Sequence, residues 1–374
     1  MRDPLIRDAT QYLTEQSRRL LEGCRMTAHD LTVLYTPDGV GNYAALWTRD
    51  FYYMVHSAGD LIPPEHVEAC IRYLINTVRE DGAAPDRVEA GGRALYVAGP
   101  ANAPLPARDN LDNPMFLVLL AASHLPRVEE PRRRELLEQW LPPLMRAMDW
   151  VPRSERGLVW NDPHNPHSPY GFTDTIAKTG ELLMESLLYW QATSDMATMC
   201  EIAGSPRACA DDYRQRGTQI ERNIAQLWDE SGAFFAATQD CRQFDIWGCA
   251  YAVFIDFPLG DRRQPLLRFL AEHYDQYAWH GQIRHLLRGQ YWQRKFADVA
   301  PDRYQNGAYW ATASGWMIVA LEQIDPSLAT HTLEALLDDF RAAGIYECVT
   351  ADYRQLPDYV VSVTNPRGAL RRLL

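Results

Sequence analysis

Six short clusters of carboxylate, amide and aromatic residues recur along this chain, each just ahead of an apolar stretch with helical spacing. The first three read Leu46-Trp47-Thr48-Arg49-Asp50, Asp109-Asn110-Leu111-Asp112-Asn113 and Gly171-Phe172-Thr173-Asp174-Thr175. The others are Phe244-Asp245-Ile246-Trp247-Gly248, Tyr304-Gln305-Asn306-Gly307-Ala308-Tyr309-Trp310 and Leu356-Pro357-Asp358-Tyr359. Carboxylates and amides are planar acceptors suited to sugar hydroxyls, and aromatic faces suit the apolar face of a sugar ring. If the clusters converge in space, they form a carbohydrate site. Trp47, Arg49 and Asp50 are the most complete set, with a stacking face, a fork of donors and a pair of acceptors. Asp112, Asn113, Asp245, Trp247, Gln305, Asn306, Tyr309 and Trp310 would wall the rest of such a site, although Asn306-Gly307 is also a turn signal. Pro85-Asp86-Arg87 offers a further subsite.

The elements that would position these clusters are helices. Apolar residues recur at i, i+3 and i+4 almost throughout, and few alternating runs suggest strands. Helices are expected near 4–25, 46–59, 64–80, 110–124, 131–152 and 174–193, then near 206–229, 243–257, 262–275, 308–323, 327–343 and 357–371. Pro63-Pro64-Glu65 and Asp325-Pro326-Ser327 are start signals, while Asp81-Gly82, Ser231-Gly232 and Gly344 mark breaks. Alternate helices differ in polarity. Phe116-Leu117-Val118-Leu119-Leu120 and Trp316-Met317-Ile318-Val319 are apolar all round, whereas Arg132-Arg133-Arg134-Glu135 and Leu337-Asp338-Asp339 carry charge. An all-apolar helix is buried and a half-charged one faces solvent. Six outer–inner pairs therefore close into an all-α toroid, with the inner helices starting near 46, 110, 174, 243, 308 and 357. Parallel inner helices would bring all six clusters to one mouth. No linker divides the chain, so residues 1–374 read as one domain.

The 374 residues carry a formal charge of −12, which argues against nucleic acid as a partner. Met1 to Asp8 contains no apolar run, so no secretory signal is read there, and no stretch approaches a membrane span. The seven cysteines are scattered, without a Cys-x-x-Cys pair, so neither a disulfide framework nor a zinc site is indicated. A cytoplasmic protein is the expectation. Asp162-Pro163-His164-Asn165-Pro166-His167 fits no standard metal spacing. No Gly-x-Gly-x-x-Gly, phosphate loop or Gly-x-Ser-x-Gly elbow occurs, so no cofactor is expected.

The arrangement resembles the six-hairpin, (α/α)6-barrel glycosidases: glucoamylases, trehalases, processing-type α-glucosidases and their relatives. Trp47-Thr48-Arg49-Asp50, Gly171-Phe172-Thr173-Asp174, Tyr304 to Trp310, and Glu347 before the last inner helix carry the likeness. It spans nearly the whole chain as architecture and is poor at singling out one activity. The resemblance implies a general acid at the start of the third inner helix and a base before the sixth, which are Asp174 and Glu347 here. It also implies that Arg49 and Asp50 grip the innermost sugar. Inverting enzymes of this kind hold the two carboxyl groups roughly 6.5–9.5 Å apart, with a water between. Tyr170 and Phe172 would desolvate Asp174 and raise its pKa. Asp174 also has the alternative of a helix N-cap, with Asp162 and Glu181 as rival acids. Glu347 has the alternative of a structural ion pair, with Asp352 as a rival base. Two departures stand out: the acid motif is Gly-Phe-Thr-Asp where trehalase-like enzymes have Gly-Trp-Asp, and no starch-binding or β-domain accompanies the helices.

The expectation is an exo-acting, inverting glycoside hydrolase acting on a small oligosaccharide or chain end. A sugar epimerase or isomerase on the same barrel, with His280 or His285 moving the proton, is the alternative. A non-catalytic helical scaffold would give no reason for charged and aromatic residues at inner-helix starts.

Overall fold

A computed structural model of the chain describes residues 2–106 and 108–373. Its helices are α1 (Arg2–Gly23), α2 (Thr48–Ala58), α3 (Pro64–Ile75), α4 (Asn113–His124), α5 (Arg132–Trp150), α6 (Leu183–Ile202) and α7 (Arg207–Asn223). They continue with α8 (Ile246–Phe254), α9 (Arg263–Glu272), the single turn α10 (Tyr274–Tyr277), α11 (Ser314–Glu322), α12 (Pro326–Ala343) and α13 (Val361–Leu370). Start and stop signals act as expected. Asp325 accepts hydrogen bonds from the Ser327 and Leu328 amides with Pro326 at the first helical position, and Gly344 ends α12 at φ +93°. Asp245 caps α8 through the Gly248 amide.

The polarity alternation becomes a spatial one. Every residue of α8 is buried, as is all of α11 except Glu322. In α12 only one face is buried, through Ala329, Leu333, Leu336, Leu337 and Phe340. Helix α2 packs on α4, α4 on α6, α6 on α8, α8 on α11, α11 on α13, and α13 returns to α2. The charged helices pack outside this succession: α3 and α5 on α4, α7 on α6, α9 and α12 on α11, and α1 on α13. Among the described residues, no helix is long and apolar enough to cross a membrane.

Three expectations need correction. The third inner helix starts at Leu183, not near 174, because Gly171–Thr173 is a 3-10 turn and Gly180–Glu181 pairs antiparallel with Trp160–Asn161. The fifth and sixth also start late, at Ser314 and Val361, so these clusters occupy connections instead of first turns. Strands are more frequent than the pattern suggests, as six small sheets whose strands run two to five residues, too short for alternation to register. Finally, Cys200 of α6 and Cys209 of α7 are joined as a disulfide across the turn between their helices, with Cα atoms 6.4 Å apart. Cys24, Cys70, Cys241, Cys249 and Cys348 are free and buried.

Candidate active site

The site is built outward from Arg49. A three-stranded sheet sets Ala45–Trp47 antiparallel to Arg87–Glu89, with Trp47 opposite Arg87, whose guanidinium lies 4.5 Å over the indole ring. The strand runs directly into α2, so Arg49 and Asp50 fall in its first turn. The Arg49 guanidinium is buried and reaches Asp86 Oδ1 at 3.0 Å, Asp112 Oδ2 at 3.3 Å and Asn113 Oδ1 at 3.3 Å. Gly171 admits it: a Cβ there would stand 1.7 Å from the Arg49 Cζ. Asp112 closes the knot by accepting the Gly171 amide at 2.8 Å. Asp50 accepts the Tyr359 hydroxyl at 2.5 Å, and burial pushes its carboxyl up to about 6 against the pull of Arg49.

Asp174 follows the Gly171–Thr173 turn and is partly exposed, towards the cavity that it lines. Gln305 fixes it. The amide nitrogen of Gln305 donates to Asp174 Oδ1 at 2.8 Å, while its oxygen accepts from the Thr175 amide and hydroxyl at 2.9 and 2.6 Å. Burial raises the Asp174 carboxyl to about 7, opposed by Arg49 and by the Gln305 hydrogen bond. The Asp174 side chain makes no helix cap.

Glu347 lies on the strand Tyr346–Thr350 and is 2% exposed. Tyr43 donates to its Oε1 at 2.9 Å, and its Oε2 has no partner. Burial raises this carboxyl to about 8, with the Tyr43 hydrogen bond opposing and the charges of Asp50 and Asp174 adding. Tyr43 is itself held by the buried Asp38, whose carboxylate accepts the amides of Val40, Asn42 and Tyr43 at 2.9, 3.0 and 2.8 Å. Asp174 and Glu347 line one cavity of about 560 Å³ together with Trp47, Arg49, Asp50 and Tyr359.

The other expected wall residues lie behind the cavity or away from it. Asp112 and Asn113 hold Arg49, and Gln305 holds Asp174. Asp245 is a helix cap that also meets Lys178 at 3.5 Å. Trp247 is fully buried and donates to the Ile283 carbonyl. Trp310 is likewise core, and the Asn306 side chain pins the turn through Trp292 and Val299. Tyr309 pairs backbone to backbone with Val349 and is buried. Trp247, in the first turn of α8, and Trp310, ahead of α11, thus pack under Phe172 and edge-to-face with each other instead of forming sugar platforms.

The rival carboxylates and the histidines are placed elsewhere. Glu181 pairs with Arg156 and Ser154, Asp352 with Arg303 and Thr350, and Asp162 accepts the His164 amide. His280 occupies an exposed hairpin turn at φ +49°, and His285 is buried, stacked on Trp247 at 4.0 Å. Neither histidine lines the cavity. The sequence assigned no site role to Tyr43, Glu89, Tyr304 or Tyr359, all of which line it. Tyr304 and Tyr359 stood inside quoted clusters; Tyr43 precedes one by only three residues, which was the available signal. Among the described residues, no group of three or more His, Cys, Asp or Glu side chains is placed to hold a metal ion.

No protein-family model matches the sequence, and no curated protein matches it. Solved structures do match in fold, and (α/α)6-barrel glycosidases are among them. One is the GH63 mannosylglycerate hydrolase of Thermus thermophilus in complex with glucose, 13% identical, with a TM-score of 0.67 over 95% of this chain and 99% of that one. The same enzyme in complex with Tris and D-glycerate gives 15% identity and 0.64 over the same shares. The rhamnosidase of Klebsiella oxytoca with rhamnose bound is 16% identical, with a TM-score of 0.69 over all of this chain and 65% of its own. At these identities the likeness is one of fold.

Proposed function

We propose that this chain is a glycoside hydrolase, an (α/α)6 barrel of six hairpins in one domain, acting on a chain end or small oligosaccharide with inversion. One observation carries the reading: two carboxyl groups from connections far apart in sequence, Asp174 and Glu347, face one cavity, both raised towards neutral pH by burial. The cyclic packing of α2, α4, α6, α8, α11 and α13 supports the barrel. That the fold's neighbours act on mannosylglycerate or are named rhamnosidase, with glucose or rhamnose bound, supports sugar as the substrate. A volume of about 560 Å³ is that of a small-ligand site and suits the end of a chain.

In this mechanism Arg49, Asp50 and Trp47 hold the terminal sugar. Asp174 transfers its proton to the glycosidic oxygen as the bond to the anomeric carbon breaks. Glu347 Oε2, the oxygen left free by Tyr43, takes a proton from a water that attacks the anomeric carbon on the opposite face. The products are the inverted sugar and the protonated leaving group.

A second assignment, with Glu347 as acid and Asp174 as base, is favoured by the higher pKa of Glu347. A water donating to the free Oε2 adds a second hydrogen bond that favours the ionised Glu347, so the first assignment is preferred for the loaded site. Activity screening on nitrophenyl glycosides and disaccharides, with proton NMR of the first-formed anomer, tests the reaction. Loss of roughly a thousandfold or more in kcat is expected for both Asp174→Asn and Glu347→Gln, with folding intact. On a leaving group that needs no protonation, such as dinitrophenolate, Asp174→Asn recovers and Glu347→Gln does not. A retained anomer, or near-normal turnover in either variant, overturns the proposal; recovery of Glu347→Gln alone exchanges the two roles.

A further inference from the structure

The charges around this cavity do not balance: carboxyl groups outnumber cations along its lining. Its cations are Arg49 and Arg87. Arg49 is taken up by Asp86 and Asp112. Arg87 is taken up by Asp86 at 2.7 Å, by the Val97 and Gly99 carbonyls at 3.2 and 2.8 Å, and by the face of Trp47. Neither cation is left over for an anionic ligand. Four carboxyl groups, those of Asp50, Glu89, Asp174 and Glu347, line the same space. The Glu347 Oε2, nearly fully buried and unpartnered, shows that the interior awaits a hydrogen-bond donor.

Glu89 sits apart from the other three. It follows Arg87 by two residues on the same strand and so shares its face, opposite the small Ala45. Two strand residues displace it roughly 7 Å from the Trp47–Arg87 pair, away from Arg49 and Asp50, which follow Trp47 at the other end of the paired strand. Its carboxylate makes no ion pair and no side-chain hydrogen bond with any described residue.

We infer that the leaving-group side of the cavity accepts an uncharged or amine-bearing polyol and rejects an anionic one, and that Glu89 sets this preference. The term leaving group rests on the glycosidase reading; the charge preference does not. The carboxylate offers two acceptors to a hydroxyl or an ammonium. It repels a second carboxylate across a space holding no free cation. The aglycone side therefore differs in kind from a site built for a sugar acid.

Three probes of one skeleton separate the possibilities: glycerol, 3-amino-1,2-propanediol and D-glycerate, titrated by ligand-observed NMR at about pH 7.5, where the amine is charged and the acid ionised. Using the full chain with Asp174→Asn and Glu347→Gln removes those two carboxyl groups and leaves Asp50 and Glu89, whose shares the further change Glu89→Gln separates. The amine is expected to bind best, glycerol next, and glycerate at least fivefold more weakly than glycerol. Adding Glu89→Gln should weaken the amine by roughly fivefold, the scale of one partly solvated ion pair, and leave glycerol within twofold. Glycerate binding as well as glycerol, an amine unaffected by Glu89→Gln, or no binding by any probe overturns the inference. A chain that cleaves no glycoside yet shows this order removes the proposed reaction and leaves the inference standing. Cleavage with the reverse order does the opposite.

Discussion

Replacing Tyr43 by Phe removes one hydroxyl, and its effect on the pH profile follows from the geometry. The phenol donates to Glu347 Oε1 at 2.9 Å and is the strongest influence holding that carboxyl down against burial. A hydrogen bond to a charged group is worth about 1.5–3 kcal/mol. At about 1.36 kcal/mol per tenfold change in proton affinity, its loss moves Glu347 upward by about 1–2 pH units. In the proposed mechanism Glu347 works ionised while Asp174 is protonated, and with Glu347 near 8 and Asp174 near 7 only a minority of molecules carries that pairing. The higher value sets the basic limb of kcat/KM and the lower one the acidic limb, so raising Glu347 carries the basic limb to higher pH by the same amount while the acidic limb stays nearly in place. The working fraction shrinks in proportion, and kcat/KM at its maximum falls by about 10- to 100-fold. Tyr304→Phe is the control, since the Tyr304 hydroxyl lies 3.5 Å from that of Tyr43 and makes no hydrogen bond to Glu347. The assay is kcat/KM against pH on one nitrophenyl glycoside for the three proteins. A basic limb and a maximum that both stay unchanged refute the role given to Tyr43, and a basic limb that rises with the maximum unchanged identifies Glu347 as the proton donor.

Stability should run against function at the two acids. Both are raised in the folded protein, so the folded state holds more protons than the unfolded one between about pH 4 and the folded values of about 7 and 8, and stability falls as pH rises through that window. Asp174→Asn and Glu347→Gln should thus raise Tm by about 2–5 °C at pH 8 and by little at about pH 4.5, as calorimetry would show; a lower Tm at pH 8 contradicts the desolvation account. Gly171→Ala places a methyl group in the space of the Arg49 guanidinium and should raise KM at least tenfold, with circular dichroism unchanged. Asp352→Asn, at an exposed ion pair away from the cavity, should leave kcat within threefold, and a large loss would restore Asp352 as a candidate base. Trp247→Leu removes a buried ring and should destabilise by about 2–4 kcal/mol in urea while KM holds; a changed KM would return Trp247 to the sugar wall.

The helices were legible where one chemical property ran the length of the element. The apolar α4, α8 and α11 and the one-faced α12 declare both their existence and their layer. Their beginnings were less legible. Asp174-Thr175 resembles a cap and first turn, yet the chain passes through a two-residue strand at Gly180–Glu181 before α6 begins. Such a pairing is decided by Trp160 and Asn161, well upstream in the chain, and leaves no periodic trace. Within the site, Trp47-Thr48-Arg49-Asp50 was readable because one turn supplies all its groups. Asp112, Asn113 and Gln305 were of the right type, but their partners, Arg49 and Asp174, are brought to them only by the fold. Tyr43 had no cluster around it, and its importance comes from Asp38 folding the loop back through three amides.

Arg49 shows why the proposed sugar-binding and proton-donating roles need the buried acids behind them. A guanidinium this close to Asp174, with its charge unspent, would hold that carboxyl well down in the ionised range, where it has no proton to give. Asp86 and Asp112 contact Arg49 from the side away from the cavity and are fully buried. Their charges hold Arg49 protonated, and they also act directly to raise Asp174. The same two contacts fix the guanidinium against Gly171, beside the turn that delivers Asp174. Burial can then dominate at Asp174 even with an arginine beside it. The second cluster of the sequence serves the third in this way: Asp112 lies outside the cavity lining, and in the proposed mechanism it allows an arginine that would grip the substrate to coexist with an acid that must stay protonated.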